Sequence, residues 1–105
     1  MKLNHYAIFL AIIFLPACTW VELTENGNEV TLVKPFNVKN CVKLASTQTS
    51  TKHQVGIFTR SEETVTNELI SIAKNRAAEL GGDSIVSVKP LTEGSMGFDV
   101  YKCKE

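Results

Sequence analysis

The sequence predicts an α+β domain in which one helix covers a small antiparallel sheet, in the chain order strand, strand, helix, strand, strand (β-β-α-β-β). Three observations support this class: two short runs of strand-forming residues, one amphipathic stretch in the middle of the chain, and two alternating runs near its end. The 105 residues provide enough chain for one domain.

The first two strands are indicated by β-branched and aliphatic residues. Residues 29–33 (EVTLV) form a short run that Pro35 ends, and residues 42–45 (VKLA) form another. The Ser/Thr-rich residues 46–51 either continue the second strand or form a mobile loop, because threonine favours strands whereas serine and glutamine do not. Residues 55–58 (VGIF) form a small apolar patch, which we expect to pack under the helix.

The helix is predicted by its start signals, its apolar stripe and its end signal. Thr59 and Ser61 are both candidate N-caps, and Glu62 follows Thr59 at the spacing of a capping box. Glu62 and Glu63 place negative charge in the first turn, where the helix dipole favours it. Gly81 suits the left-handed position that ends a helix. The stripe at 3.6-residue spacing consists of Val65, Leu69, Ile72, Ala73, Arg76 and Leu80.

A β-hairpin is predicted after the helix. Residues 84–91 (SIVSVKPL) and residues 97–104 (GFDVYKCK) both have strand character, and the turn-forming residues 92–95 separate them. Alternation along these strands predicts the face that the helix covers, which consists of Val86, Val88, Phe98 and Val100.

The first seventeen residues have the character of an export signal. Lys2 is the only Lys, Arg, Asp or Glu before Glu22, and residues 6–15 (YAIFLAIIFL) form an apolar run. As a helix this run is roughly 15 Å long, whereas a bilayer core requires about twenty residues. The sequence therefore predicts a signal peptide over residues 1–17.

The end of this segment, Leu15-Pro16-Ala17-Cys18, resembles the lipobox of bacterial lipoprotein signals. The resemblance implies cleavage before Cys18, a diacylglycerol on its thiol and a fatty acyl chain such as palmitate on its amine. The alternative is an ordinary secretory signal in which Cys18 is an incidental thiol. With lipidation, residues 18–28 form a lipid-anchored N-terminal segment and residues 29–105 the α+β domain.

The lipid chains decide how firmly the protein is held. Each buried methylene contributes about 0.8 kcal/mol, so one acyl chain binds only marginally, whereas three hold the protein essentially permanently. By analogy with enterobacterial sorting, Thr19 rather than Asp after the cysteine indicates the outer membrane. The expected location is therefore the outer membrane, with the domain facing the periplasm.

The remaining two cysteines predict a disulfide. If Cys18 carries lipid, Cys41 and Cys103 form an even pair in an exported domain. A bridge closing a loop of roughly 60 residues stabilises the fold by about 4 kcal/mol. The alternative is two free thiols; a redox-active thiol site is disfavoured because there is no C-x-x-C motif.

Few residues of the sequence point to nucleic-acid binding, catalysis or metal binding. The formal net charge of +0 argues against nucleic acid as a partner. No catalytic residues, metal ligands or cofactor are predicted: His53 is the only histidine outside the signal, and structural zinc usually takes four ligands. We interpret His53 as a solvated side chain, Asp83 as a turn residue, and the two glutamates at the helix start as first-turn charges.

Three segments together resemble one family of small bacterial lipoproteins, known as domain-of-unknown-function family 4156. They are Cys41-x-x-Leu44, residues 75–86 (NRAAELGGDSIV) and residues 100–103 (VYKC), accompanied by the Thr19-Trp20-Val21 opening. The helix–Gly–strand unit is also similar to that of the Rcs envelope stress-sensor lipoprotein, at the level of fold. The family resemblance implies an envelope lipoprotein and supplies no activity.

We therefore expect a non-enzymatic binding or accessory module of the cell envelope, held to the membrane by lipid and serving envelope maintenance or a stress response. An envelope protein is the expected partner. The alternative is a periplasmic ligand- or metal-binding module that uses the Ser/Thr-rich residues 46–51 and His53.

Overall fold

A computed structural model describes residues 22–104, and within that range one α-helix lies against one face of a four-stranded sheet. The predicted signal peptide and Cys18 lie outside the described residues. The elements in chain order are β1 (Thr31–Val33), β2 (Val42–Ser50), β3 (Gln54–Val55), β4 (Phe58–Thr59), α1 (Glu62–Glu79), β5 (Ser84–Thr92) and β6 (Ser95–Lys102). Short 3-10 turns at Gly27–Glu29 and Pro35–Val38 flank β1.

The predicted α+β class is confirmed, whereas the predicted strand order is wrong in two respects. The sheet has the order β1-β5-β6-β2, and β1 pairs with β5 in parallel, from Thr31 opposite Ser84 to Val33 opposite Val86. Strands β3 and β4 form a separate two-stranded hairpin between β2 and the helix. The parallel pairing covers only three residues that lie far apart in sequence, so no local pattern indicates it.

The Ser/Thr-rich segment forms a strand, which decides between the two alternatives. Strand β2 pairs antiparallel with β6 as far as Ser50, with a bulge between Lys43 and Ala45. Because β2 is an edge strand, its outward backbone groups are open to pairing with another chain. The helix partly protects this edge: the Arg76 guanidinium donates to the Gln48 carbonyl at 2.9 Å. The bulge and this contact both disfavour edge-to-edge association.

Helix α1 begins and ends with the predicted chemistry. Ser61 is the N-cap, and its hydroxyl accepts a hydrogen bond from the Thr64 backbone N–H at 3.1 Å. Thr59, the other candidate, lies in β4. Gly81 follows the helix with a φ of 85°, a conformation that a side chain strains. Among residues 22–104 no helix is both long enough and apolar enough to span a bilayer.

The core lies between the helix and the sheet. Its buried members are Val30, Val65, Leu69, Ala73, Ala77, Ile85, Met96, Phe98 and Val100. The predicted helix-facing surface is therefore right for β6 and wrong for β5. Ile85 stands directly opposite Val100 and packs in this core, whereas Val86 is buried outside it and Val88 is half exposed. Ile85 and Val86 each begin a series of every second residue along β5. The alternation alone therefore does not show which series faces the helix.

The ends of the helix stripe differ from the prediction. Ile72 packs at the margin of the core, and Leu80 is half exposed because the chain turns away at Gly81. Gly82 then passes so close to the sheet that a Cβ atom would lie 2.6 Å from the Val100 side chain. Glycine at this position therefore lets β5 begin directly beneath the helix end.

Candidate functional site

The first described residues are fixed to the helix by one side chain. The Asn75 amide oxygen accepts the Thr24 backbone N–H at 2.9 Å, and its amide nitrogen donates to the Glu22 carbonyl at 3.0 Å. Thr24 in turn accepts the Gly27 backbone N–H through its hydroxyl at 2.9 Å. The chain is therefore attached to the domain from Glu22 onward, only four residues after Cys18.

The predicted disulfide between Cys41 and Cys103 is present, with a Cα–Cα distance of 4.4 Å. Cys41 directly precedes β2 and Cys103 directly follows β6, so the bridge joins the paired ends of these two strands. It closes a loop with a sequence separation of 62 residues that contains the β3–β4 hairpin, the helix and most of the sheet.

Asp83 fixes the chain beside this bridge, which goes beyond its predicted role as a turn residue. Its carboxylate accepts the backbone N–H groups of Cys103 and Lys104 at 2.9 Å and 2.8 Å, as well as the Ser84 hydroxyl. Burial alone would raise the pKa of Asp83, but these donors, with the Lys102 charge, hold the pKa below its ordinary value. The group therefore remains ionised and serves as a structural anchor.

The β3–β4 hairpin carries an exposed apolar surface. Val55, Ile57 and Phe58 are 56%, 91% and 73% exposed, and Gly56 turns the chain with a φ of 64°. The prediction that residues 55–58 pack under the helix is therefore wrong. We call Val55, Ile57 and Phe58 the hairpin tip.

The base of the same hairpin is held by a largely buried ion pair. The Arg60 guanidinium contacts the Glu68 carboxylate of the helix at 2.9 Å, and their side chains are only 11% and 8% exposed. Arg60 also donates to the Lys52 carbonyl at 2.8 Å, and the Thr51 hydroxyl donates to Glu68. The bond from Arg60 lowers the pKa of Glu68, burial opposes it, and Thr51 adds to the lowering.

These contacts fix both strands of the hairpin where they leave the domain. The Arg60 backbone N–H donates to the His53 carbonyl at 2.8 Å, and the Thr51 N–H donates to the Gly94 carbonyl at 2.9 Å. The hairpin is thus attached to the helix and to the β5–β6 turn through polar contacts. The base of the hairpin is therefore fixed, whereas its tip has little apolar packing of its own.

The open face of the sheet carries a second, polar feature. A shallow groove of about 350 Å³ lies over Gly97. Asp99 accepts the Ser46 hydroxyl at 2.7 Å and pairs with Lys43 at 3.4 Å at its margin. The groove is lined by Ser46, Thr47, Gln48, Val88, Lys89, Gly97, Phe98 and Asp99. His53 is not among these residues.

Of the titratable residues considered at the sequence level, His53 and Glu62 line one small pocket of about 120 Å³, whereas Asp83 lies apart from them beside the disulfide. Glu62 and Glu63 are exposed in the first helical turn, and His53 lies against Gly94. Across residues 22–104 no three His, Cys, Asp or Glu side chains are grouped so that they would hold a metal ion.

The sequence did not predict the exposure of the hairpin tip, because apolar residues before a helix usually belong to the core. The available signal was Gly56, which divides the run into one apolar residue before it and two after it.

A comparison with protein families matches residues 21–103 to the model of a domain of unknown function, DUF4156. Neither the curated proteins nor the solved structures gave a match to this chain.

Proposed function

The chain belongs to this family of domains of unknown function, and we propose that it is a lipid-anchored protein of the bacterial cell envelope that acts as a non-enzymatic binding or accessory module. The proposal rests on the pairing of two of the three cysteines, which leaves the third outside the disulfide. Cys41 and Cys103 bridge each other, which leaves Cys18 at the end of the lipobox as the acceptor of lipid.

The docking of the N-terminal segment supports a tethering role. Asn75 binds the chain at Glu22 and Thr24, so the linker between the lipid-bearing residue and the domain is short. Four residues of extended chain span at most about 14 Å. A domain on such a linker stays next to the bilayer, which suits work at the envelope surface.

The polar residues of the domain support a role without catalysis. Glu68 and Asp83, the carboxylates with lowered pKa values, are both engaged in contacts that fix the chain, to Arg60 and to the Cys103–Lys104 backbone. Because their oxygens already accept these hydrogen bonds, neither carboxylate is presented to a substrate as a general acid or base. The proposed partners are the membrane, through lipid, and an envelope protein.

The substitution Cys18→Ser tests the anchor. We expect the variant to incorporate no fatty acid and to be missing from the outer-membrane fraction, because the thiol that accepts diacylglycerol is absent. Metabolic labelling with an alkyne fatty acid, followed by fractionation, measures both. The double variant Cys41→Ala/Cys103→Ala is the matched control and should still be labelled. Fatty-acid labelling of Cys18→Ser at the wild-type level would contradict the proposal.

The substitution Thr19→Asp tests the membrane in an enterobacterial host. If Thr19 directs the protein to the outer membrane, aspartate at this position should move the labelled protein to the inner-membrane fraction. An unchanged distribution would contradict the outer-membrane assignment while leaving lipidation intact. Cross-linking in intact cells, followed by purification, then identifies the envelope partner.

A further inference from the structure

The β3–β4 hairpin combines a base fixed by polar contacts with a tip that exposes an apolar surface. The Arg60–Glu68 pair and the bonds to Lys52 and His53 fix the base, whereas Ile57 is 91% exposed. A surface of this kind adds nothing to folding and lowers solubility. Contiguous exposed apolar side chains on a defined element indicate a contact with another apolar surface.

The size of the tip favours lipid over protein. Val55, Ile57 and Phe58 together present a few hundred Å², whereas a stable protein–protein interface buries about 800 Å² on each partner. A bilayer surface requires no complementary shape, and a protein already anchored by lipid gains from even a small apolar contact.

The position of the tether allows the tip to reach the same membrane. Glu22 docks on Asn75, near the end of the helix, and lies four residues from Cys18. The hairpin leads into the helix at Ser61, and the fourteen residues from Ser61 to Asn75 correspond to about 21 Å along the axis. With the helix axis parallel to the membrane, both ends of α1 lie at the same height above the bilayer.

We propose that the hairpin tip, formed by Val55, Ile57 and Phe58, inserts into the interfacial region of the leaflet that holds the Cys18 acyl chains. This second contact orients the domain, with α1 along the membrane plane. The proposal rests on the lipid-anchored function proposed above. Apolar insertion drives the contact rather than charge, because the exposed Glu62 and Glu63 lie beside the hairpin.

A matched pair of phenylalanines allows a direct test. Phe58 in the tip is 73% exposed, and Phe36 in the turn before β2 is 65% exposed. Each is replaced by tryptophan in a Trp20→Phe background, and the full lipidated protein is reconstituted into phosphatidylethanolamine/phosphatidylcholine vesicles. Brominated acyl chains quench an inserted indole, and acrylamide quenches an indole in water.

The expected result is strong quenching of the Phe58→Trp indole by brominated lipid, severalfold greater than that of the Phe36→Trp indole, with the opposite order for acrylamide. Adding Ile57→Ser should reduce the lipid quenching of Phe58→Trp. Raising the salt concentration should leave it unchanged, because the contact is apolar.

Two results separate the failure of this proposal from the failure of the anchor. If the protein floats with the vesicles while both indoles behave alike toward lipid, the anchor stands and the inserted tip is wrong. If the protein does not float, the anchor is wrong, and the second contact is wrong with it. Protection of Phe58→Trp from acrylamide in native envelopes, with full exposure in lipid vesicles, would assign the tip to a protein partner and overturn the lipid contact.

Discussion

The two hairpins on either side of the helix place their apolar residues in opposite environments. In the β5–β6 hairpin, Ile85 and Phe98 are fully buried against the helix. In the β3–β4 hairpin, Ile57 and Phe58 project into solvent. The first hairpin is stabilised by apolar burial, whereas the second is held at its base by polar contacts of Arg60. Apolar content alone therefore does not decide which segment belongs to the core.

Truncating one phenylalanine from each hairpin should give the largest difference. Phe98→Ala removes a fully buried ring and should lower the free energy of unfolding by about 3–5 kcal/mol. Phe58→Ala, the matched control, should change it by less than about 0.5 kcal/mol, because that ring is mostly exposed. Urea denaturation measures both. Equal losses would mean that the β3–β4 hairpin is packed in solution, which contradicts the comparison.

Removing the disulfide should destabilise the β5–β6 hairpin more than the β3–β4 hairpin. Cys41→Ala/Cys103→Ala should lower the free energy of unfolding by about 2–4 kcal/mol, because the loop it closes is long. Hydrogen exchange should accelerate most where β2 meets β6 near the bridge. An unchanged urea midpoint would show that the bridge does not stabilise the fold.

Breaking the ion pair should release the exposed hairpin. Arg60→Met leaves the Glu68 carboxylate buried without its cation and should cost about 2 kcal/mol. Hydrogen exchange should speed up at residues 53–60 while the β5–β6 hairpin keeps its protection. Arg76→Met is the control, because that guanidinium donates to the neutral oxygens of Thr47 and Gln48. Equal exchange at residues 53–60 in the two variants would argue against the role given to Arg60.

Acidification should lower the free energy of unfolding by protonating Glu68 and Asp83. We expect this effect to be smaller than those of the substitutions above. The pKa values of Glu68 and Asp83 are lowered in the folded protein, so their contribution to stability is present above about pH 4 and is lost as the pH falls through the folded pKa values. Asp83→Asn and Glu68→Gln should flatten this loss, unlike Glu63→Gln, which changes an exposed first-turn group. Urea midpoints between pH 7 and pH 3 measure the slope, and identical slopes in all variants would contradict the anchoring roles.

Local patterns predicted those parts of the fold that depend on local contacts. The helix, its Gly81 end and the β5–β6 hairpin each follow from residues close together in sequence, which left Thr59 and Ser61 both open as the cap. The Cys41–Cys103 pairing followed from the count of cysteines. These features required no knowledge of distant contacts.

The missed features depend on contacts between distant parts of the chain. The parallel pairing of β1 with β5 joins Thr31 to Ser84, and no period in either segment indicates it. The hairpin of residues 54–59 is attached at its base by contacts such as Arg60 with Glu68 and Thr51 with Gly94, which no local pattern indicates. The helix-facing side of β5 depends on its register with Val100 rather than on its own alternation.

The most direct test of the central claim is the intact mass of the protein purified from membranes without reductant. We expect a chain that begins at Cys18 and carries the added mass of a diacylglycerol and one further acyl chain, with Cys41 and Cys103 inaccessible to alkylation. A chain that keeps Met1, or one that starts at residue 18 without lipid, would contradict the account.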